Sequence, residues 1–154
     1  MGLIGKLSSS GHVKFAAFDA VRIPVSPGAY LIQYVENGRP KSFKRLNGID
    51  CDGILSIGKS VNLRRRIGEF FRDVQLPDPK VHYHSEGWNW RAYFRDNSNP
   101  RALRLPFENM EAVWKVTRSK KSADELETKL IHEYLFAFQD KPPLNIQIKR
   151  KRNR

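Results

Sequence analysis

Apolar and polar residues alternate along the chain with two different periods, one typical of strands and one typical of helices. Residues 29–35 and 54–57 are short runs of β-favouring apolar side chains, and an Asn-Gly turn signal follows the first run. We therefore expect two antiparallel strands joined by a polar insert over residues 39–52. In this arrangement Tyr30 and Ser56 are near neighbours on adjacent strands.

A helical pattern begins directly after the second of these strands. Gly58 interrupts the strand, Ser60 is a candidate N-cap, and apolar residues then recur at helical spacing through Phe71. The polar side of the predicted helix carries consecutive arginines at 64–66, with Lys59 just before it. A cationic cluster where a strand leads into a helix N-terminus is suited to bind an anion.

The clearest helical pattern follows a predicted third strand at residues 112–117. This helix is expected to begin at Ser122, because Ser122 and Glu125 have the spacing of a capping box. Its apolar stripe consists of Leu126, Leu130, Ile131, Tyr134, Leu135 and Phe138. Glu127 falls near the middle of that stripe, where a carboxylate is costly unless it has a partner. The partner is either an arginine at the edge of the core or a metal ion.

The two ends of the chain differ in composition from the middle. Residues 1–13 are mostly small and polar, so we expect a flexible or loosely docked arm. A basic tail over residues 149–154 includes Lys149, Arg150, Lys151 and Arg152. One domain over residues 14–148 remains, and its elements predict an α+β fold with a small central antiparallel sheet of about three strands flanked by helices.

The charge balance indicates a polyanionic partner. The 154 residues include 28 Lys+Arg against 16 Asp+Glu, which gives a formal net charge of +12. A hydrophobic fraction of 40% is high for a disordered basic protein, so the chain is expected to fold compactly. Nucleic acid is the partner that best fits a compact and strongly basic domain.

Cysteine content and hydropathy bear on the compartment. The single cysteine, Cys51, has no partner for an internal disulfide, and the sequence has no Cys/His cluster typical of structural zinc. No apolar run approaches the roughly 20 residues of a membrane span. We therefore expect a cytoplasmic protein that does not enter a membrane.

Several short motifs follow one another across most of the chain. They are Gly28-Ala29-Tyr30, Ser56-Ile57-Gly58-Lys59, Asn62-Leu63-Arg64-Arg65-Arg66, Glu127-x-x-Leu130-Ile131 and Pro142-Pro143-Leu144-Asn145. In order and character this series resembles the motifs of the GIY-YIG nuclease family. The resemblance implies a metal-dependent endonuclease that hydrolyses DNA phosphodiester bonds, with Mg²⁺ as cofactor and Mn²⁺ as a possible substitute.

The resemblance also implies a role for individual residues. Glu127 would hold the metal, and Arg66 matches the catalytic arginine that binds the scissile phosphate. Tyr30 would be the base, with its pKa lowered by the nearby cations, and Lys59 would be one of those cations. Asn145 would position the substrate or a metal-bound water. The expected DNA contacts are Lys59, Arg64, Arg65, Lys149, Arg150, Lys151 and Arg152.

The chain departs from the family pattern at two places. Ser56 stands where the second motif has a tyrosine, and the candidates to replace that tyrosine are Tyr34, His82 and His84. The gap from Glu127 to Asn145 is longer than the motif predicts, and Glu133 would restore it. Two alternatives follow, an inactive or weakly active DNA-binding protein of the same fold and a small basic RNA-binding protein. The oligomeric state is open, although a double-strand break would require a dimer or two encounters.

Overall fold

The computed structural model describes residues 2–76, 84–91 and 105–145. An antiparallel sheet forms its centre, in the order β1 (Gly11–Lys14), β7 (Met110–Val116), β2 (Gly28–Glu36) and β6 (Ile54–Ser60). The short β3 (Arg39–Pro40) pairs with the end of β2, and β4 (Phe43–Lys44) and β5 (Ile49–Asp50) form a separate ribbon. The predicted α+β class is confirmed, with more strands than the three expected.

β2 is the central strand, because it pairs with β6 along one edge and with β7 along the other. Its pairing with β6 places Tyr30 opposite Gly58 and Ile32 opposite Ser56. Tyr30 and Ser56 are therefore neighbours on adjacent strands, as the sequence predicted, although they are offset by one pair. Cross-strand pairs project to the same face of a sheet, so all four residues share one face, which we call the Tyr30 face.

Helices cover both faces of the sheet. On the Tyr30 face, α2 (Leu63–Asp73) and α3 (Ser85–Trp90) contribute Leu63, Ile67, Phe70 and Trp90 to one apolar cluster. On the opposite face, α1 (Leu3–Leu7) and α4 (Lys120–Phe138) contribute Leu7, Leu130 and Tyr134 to a second cluster. None of the helices in the described ranges is long and apolar enough to cross a membrane.

Both predicted helix caps are wrong, the first by two residues and the second by three. α2 begins at Leu63 because Asn62 is its N-cap and accepts a hydrogen bond from the Arg65 N–H at 3.1 Å. Ser60 is still the last residue of β6 and cannot begin a helix. α4 begins at Lys120, and Ser119 is its N-cap. The Ser119 hydroxyl accepts a hydrogen bond from the Ser122 N–H, and the Ser122 hydroxyl accepts one from the Ser119 N–H. Ser122 is therefore the third residue of the helix rather than its N-cap.

The arm predicted at residues 1–13 is ordered in its described part. Leu7 of α1 is buried, and Leu3 and Ile4 pack against the cluster beneath α4. β1 pairs along its whole length with β7. The segment is therefore docked through both α1 and β1, more extensively than a loosely docked arm, because composition does not reveal that the outer edge of β7 needs a hydrogen-bonding partner.

Candidate active site

Tyr30 and His84 form a buried contact in the middle of the Tyr30 face. The Tyr30 hydroxyl lies 2.8 Å from Nε2 of His84, and each residue is 1% exposed. The histidine is fixed from two further directions. Its backbone N–H donates to the Asp73 carboxylate at 2.9 Å, and its ring contacts Phe70 edge to face. Packing and hydrogen bonds therefore fix the positions of both Tyr30 and His84.

The glycine of the second motif makes room for the Tyr30 ring. A Cβ atom at Gly58 would lie 2.4 Å from the Tyr30 hydroxyl and from the adjoining ring carbon. Any side chain at position 58 would therefore move the ring from its place beside His84. The close approach of Tyr30 explains why a glycine interrupts the apolar run of β6.

Glu86 connects His84 to Arg66. Nδ1 of His84 lies 2.9 Å from the Glu86 carboxylate, and the same carboxylate oxygen lies 4.0 Å from the Arg66 guanidinium. Burial by itself would raise the pKa of Glu86. The hydrogen bonds and charge of His84, together with the Ser85 hydroxyl, outweigh burial and lower that pKa to about 2. Glu86 is therefore an ionised carboxylate within a largely buried cluster.

The pKa of Tyr30 shifts opposite to the sequence prediction. Burial of the phenol and the negative charge of Glu86 raise this pKa well above its ordinary value. The charge and the hydrogen bond of Arg66 act in the lowering direction and do not overcome burial. The prediction of a pKa lowered by cations was therefore wrong, and Tyr30 is a neutral phenol at physiological pH.

The second half of the site lies at the end of β6, against α4. The Lys59 ammonium lies 2.6 Å from the Asp124 carboxylate and 4.0 Å from that of Glu127. Burial raises the pKa of Glu127, and the negative charges of Glu86 and Asp124 add to this effect against the positive charges of Lys59 and Arg66. Groups from both faces thus act on one carboxyl, so the two halves form a single electrostatic site around the end of β6.

Glu127, rather than Glu133, is the carboxylate at this site. Glu133 lies six residues further along α4, which is about 9 Å of helix rise. Its carboxylate is 3.8 Å from the ammonium of Lys6, so it pairs with α1 instead of β6. Of the two carboxylates that the sequence left open, the structure brings only Glu127 to Lys59.

The residues around Glu127 are compatible with Mg²⁺. No group of three metal-ligating side chains occurs in the described part of the chain. Mg²⁺ does not require one, because it retains several waters and commonly binds through one or two carboxylates and substrate phosphates. Glu127 is half-buried and Asp124 lies one turn before it, so these two carboxylates are the donors that the described residues place beside Lys59.

Asn145 is used in holding the sheet edge. Its amide oxygen accepts the Ile57 N–H at 2.8 Å, and its amide nitrogen donates to the Ile57 carbonyl at 2.8 Å. The neighbouring Leu144 N–H donates to the Leu55 carbonyl. Residues 142–145 therefore close the outer edge of β6 next to Lys59. These contacts fix the Asn145 side chain at the edge of β6, and its contact with substrate or a metal-bound water stays a prediction.

Of the described candidates to replace the missing tyrosine, His84 is the one that contacts Tyr30. Ser56 is fully buried, and its hydroxyl has no hydrogen-bond partner. Tyr34 is directed elsewhere, because its hydroxyl accepts a hydrogen bond from Asn109 at 3.2 Å. His82 lies outside the described residues. The structure therefore brings His84 to Tyr30, and its role in place of the missing tyrosine stays a prediction.

Two acidic residues of the site were not predicted. Neither Glu86 nor Asp124 belongs to any of the motifs in the sequence. The spacing of Asp124 from Glu127 places them on one side of the helix and was a usable signal. No comparable signal connected Glu86 to Arg66, because the two residues belong to different helices and meet only in the folded chain.

The predicted DNA contacts have different surroundings. Arg65 is exposed on α2, whereas the Arg64 side chain donates to the Ile23 carbonyl at 2.8 Å and to the Val21 carbonyl at 3.3 Å. The four tail residues Lys149, Arg150, Lys151 and Arg152 lie outside the described residues. Their contribution to DNA binding stays a prediction.

Comparisons of this chain with protein-family models, with curated proteins and with solved structures found no match.

Proposed function

We propose that this protein is a metal-dependent DNA endonuclease of the GIY-YIG type. The observation that supports the proposal is the convergence of four motif residues, Tyr30, Lys59, Arg66 and Glu127, from four separate elements. Residues that are distant in sequence and share a perturbed electrostatic environment are typical of a catalytic site. The partner would be DNA, which in this proposal the protein meets in the cytoplasm.

Arg66 and Lys59 are the groups that would bind the scissile phosphate. Both are partly exposed, at 31% and 42% of the side chain, and each is paired with carboxylates in the absence of DNA. Arg66 lies 3.3 Å from Glu69, and Lys59 lies 2.6 Å from Asp124. A phosphate would replace these carboxylates as the partner of each cation, and the guanidinium fork of Arg66 would orient it.

A path for the proton of the attacking water begins at Tyr30. As a neutral phenol, Tyr30 can donate its proton to Nε2 of His84 while its oxygen accepts a proton from water. Nδ1 of His84 lies 3.2 Å from the Glu86 backbone N–H, from which it can accept, and 2.9 Å from the Glu86 carboxylate, to which it can donate. The path requires the tautomer in which Nδ1–H donates to the carboxylate, because Nε2 is then able to accept from Tyr30 and the ionised Glu86 stabilises the imidazolium. His84 would therefore be the base and Tyr30 the group that connects it to the water.

Glu127, with Asp124 beside it, would hold the metal. When bound, Mg²⁺ supplies positive charge that stabilises the transition state and the leaving oxygen. The raised pKa of Glu127 is consistent with this role, because a desolvated carboxylate gains from a cation that replaces its proton. The Lys59 ammonium already lies 4.0 Å from the Glu127 carboxylate, close to where the metal would bind.

A second candidate function is DNA binding without cleavage. Tyr30 is 1% exposed and Ser56 is fully buried, so neither hydroxyl meets solvent in this structure. That burial favours a protein that retains the basic face and does not bring a water to Tyr30. Catalysis by the first candidate requires that DNA binding open access to the phenol.

A plasmid-nicking assay separates the two candidates. Supercoiled plasmid is incubated with the wild type and Mg²⁺, Mn²⁺ or EDTA, and DNA affinity is measured in parallel. The nuclease proposal predicts open circles with either metal and none with EDTA. Arg66→Ala should abolish nicking, whereas Lys129→Ala, which removes one charge from the exposed face of α4, should not. A wild type that binds DNA and never nicks it leaves the second candidate.

A further inference from the structure

A groove of about 550 Å³ lies along the flank of α2 that faces away from Arg66. One wall is formed by Phe18 and Ala20, and the other by residues of α2 from Arg64 onward together with Gln75, just beyond the end of the helix. At about 100° per residue, Gly68 in the groove and Arg66 in the candidate site are about 160° apart around the helix. The groove is therefore distinct from the cluster around Tyr30.

The groove is positively charged. Arg64, Arg65 and Arg72 line it, and the one acidic residue in its lining, Glu69, pairs with Arg66 at 3.3 Å. The bonds from Arg64 to the Val21 and Ile23 carbonyls hold its guanidinium at the groove wall. An anion in the groove would thus meet an arginine that is already oriented, as well as two that are exposed.

Aromatic rings form the apolar part of the wall. The Phe18 and Phe71 rings stack with their centroids 3.9 Å apart and an interplanar angle of 5°, and both residues are half-buried. A wall with stacked rings beside arginines offers apolar contact for sugars and cationic contact for phosphates. This combination matches a nucleic-acid backbone better than a free inorganic anion.

Gly68 keeps the groove open at its centre. It lies in the interior of α2, where glycine costs about 1 kcal/mol relative to alanine. A Cβ atom at this position would meet no atom within 4 Å, so packing does not explain the glycine. Close approach of a ligand to the helix backbone would explain it.

We propose that α2 lies in the major groove of duplex DNA, with each of its flanks facing a different strand. Arg66 would face the strand to be cut, and the groove at Gly68 would take phosphates of the other strand. A helix with side chains is about 10–12 Å across, which matches the roughly 12 Å width of the major groove. This inference rests on the proposed function in that it takes DNA as the partner.

The test is a binding measurement in EDTA, which does not depend on cleavage. Affinity for a fluorescein-labelled duplex and for one of its strands is measured by anisotropy for Gly68→Glu, Gly68→Lys and Gly68→Ala. Gly68→Glu should weaken duplex binding about fivefold and Gly68→Lys should strengthen it similarly, because each places one charge among the phosphates. Single-strand affinity should change by less than about twofold, since one strand does not occupy both flanks.

Phe136→Glu and Phe136→Lys are the matched charge controls. Phe136 is 90% exposed near the C-terminal end of α4, so its variants report the effect of net charge alone. Gly68→Ala should raise the melting temperature and confirm that position 68 tolerates a side chain. Equal effects at positions 68 and 136, or equal effects on duplex and single strand, would overturn the inference. An RNA strand bound more tightly than the duplex in a manner dependent on Gly68 would overturn it too.

The outcomes also separate this inference from the proposed function. A wild type that binds duplex DNA through Gly68 but never nicks it would contradict the nuclease proposal and support the groove. A wild type that nicks plasmid and is indifferent to charge at Gly68 would support the nuclease proposal and overturn the groove. A wild type that binds no DNA would overturn both.

Discussion

The Tyr30 hydroxyl and Nε2 of His84 lie 2.8 Å apart, although the two residues are separated by 54 positions in the sequence. This contact determines how the proposed chemistry would work. Because burial raises the pKa of Tyr30, its phenolate form is not available as the base. In the proposed chemistry the imidazole of His84 would be the base.

Tyr30→Phe and His84→Gln should each lower the nicking rate by about 10²–10⁴-fold, the contribution of a positioned acid or base. The double variant should be no slower than the slower single variant, because both residues act in one proton path. His12→Gln changes a histidine that lies 3.7 Å from Glu111 at the sheet edge, and it is the control. Additive losses in the double variant would show that the two side chains act separately.

Glu127→Gln should abolish nicking and leave DNA affinity within about twofold, because the metal ligand is removed while the cationic face remains. It should also raise the melting temperature of the metal-free protein at pH 7, since the raised pKa means that the charged form opposes folding. Glu133→Gln should retain activity. Nicking by Glu127→Gln and none by Glu133→Gln would transfer the metal role to Glu133.

Gly58→Ala should destabilise the protein by about 1–3 kcal/mol, because the new methyl group overlaps the Tyr30 ring. Nicking should fall as well, since the ring can no longer meet His84. Gly68→Ala is the matched control, because it adds the same atom where there is open space. Chemical denaturation of both variants measures the difference, and equal stabilities would contradict the observed contact.

Ser56→Ala should be neutral or stabilising by about 1 kcal/mol, because it removes a buried hydroxyl that has no partner. Ser56→Tyr would place a tyrosine where the second motif of the resembled family has one. In the structure Ser56 is fully buried, so a phenol ring there should overpack the core and lower the melting temperature. A stable Ser56→Tyr variant that nicks faster than the wild type would contradict this expectation.

Acid stability should depend on Glu86. Its folded-state pKa of about 2 lies below the ordinary value of 4.5, so its ionised form stabilises the fold above pH 4.5. This stabilisation is lost as the pH falls from about 4.5 towards 2. Glu86→Gln should therefore flatten the fall in melting temperature across that interval. Glu125→Gln, on the exposed side of α4, should leave the pH profile unchanged.

The sequence by itself determined the fold class and the main elements. The β-favouring runs, the amphipathic stripe of α2 and the stripe of α4 are local patterns, and a local pattern is readable wherever neighbouring residues share a face. The adjacency of Tyr30 and Ser56 followed from the turn between their strands. The helix starts were wrong because more than one side chain near each start is capable of capping. At α2 the length of β6 excludes Ser60 and leaves Asn62 as the cap.

Only the tertiary structure decided how the candidate site is assembled. The contact of His84 with Tyr30, and that of Glu86 with Arg66, join elements distant in sequence, and no periodicity encodes them. The direction of the Tyr30 pKa shift depends on burial, which a list of neighbouring cations does not reveal. Asn145 was assigned a role by its motif, whereas its hydrogen bonds to Ile57 follow from the free edge that β6 leaves in the folded sheet.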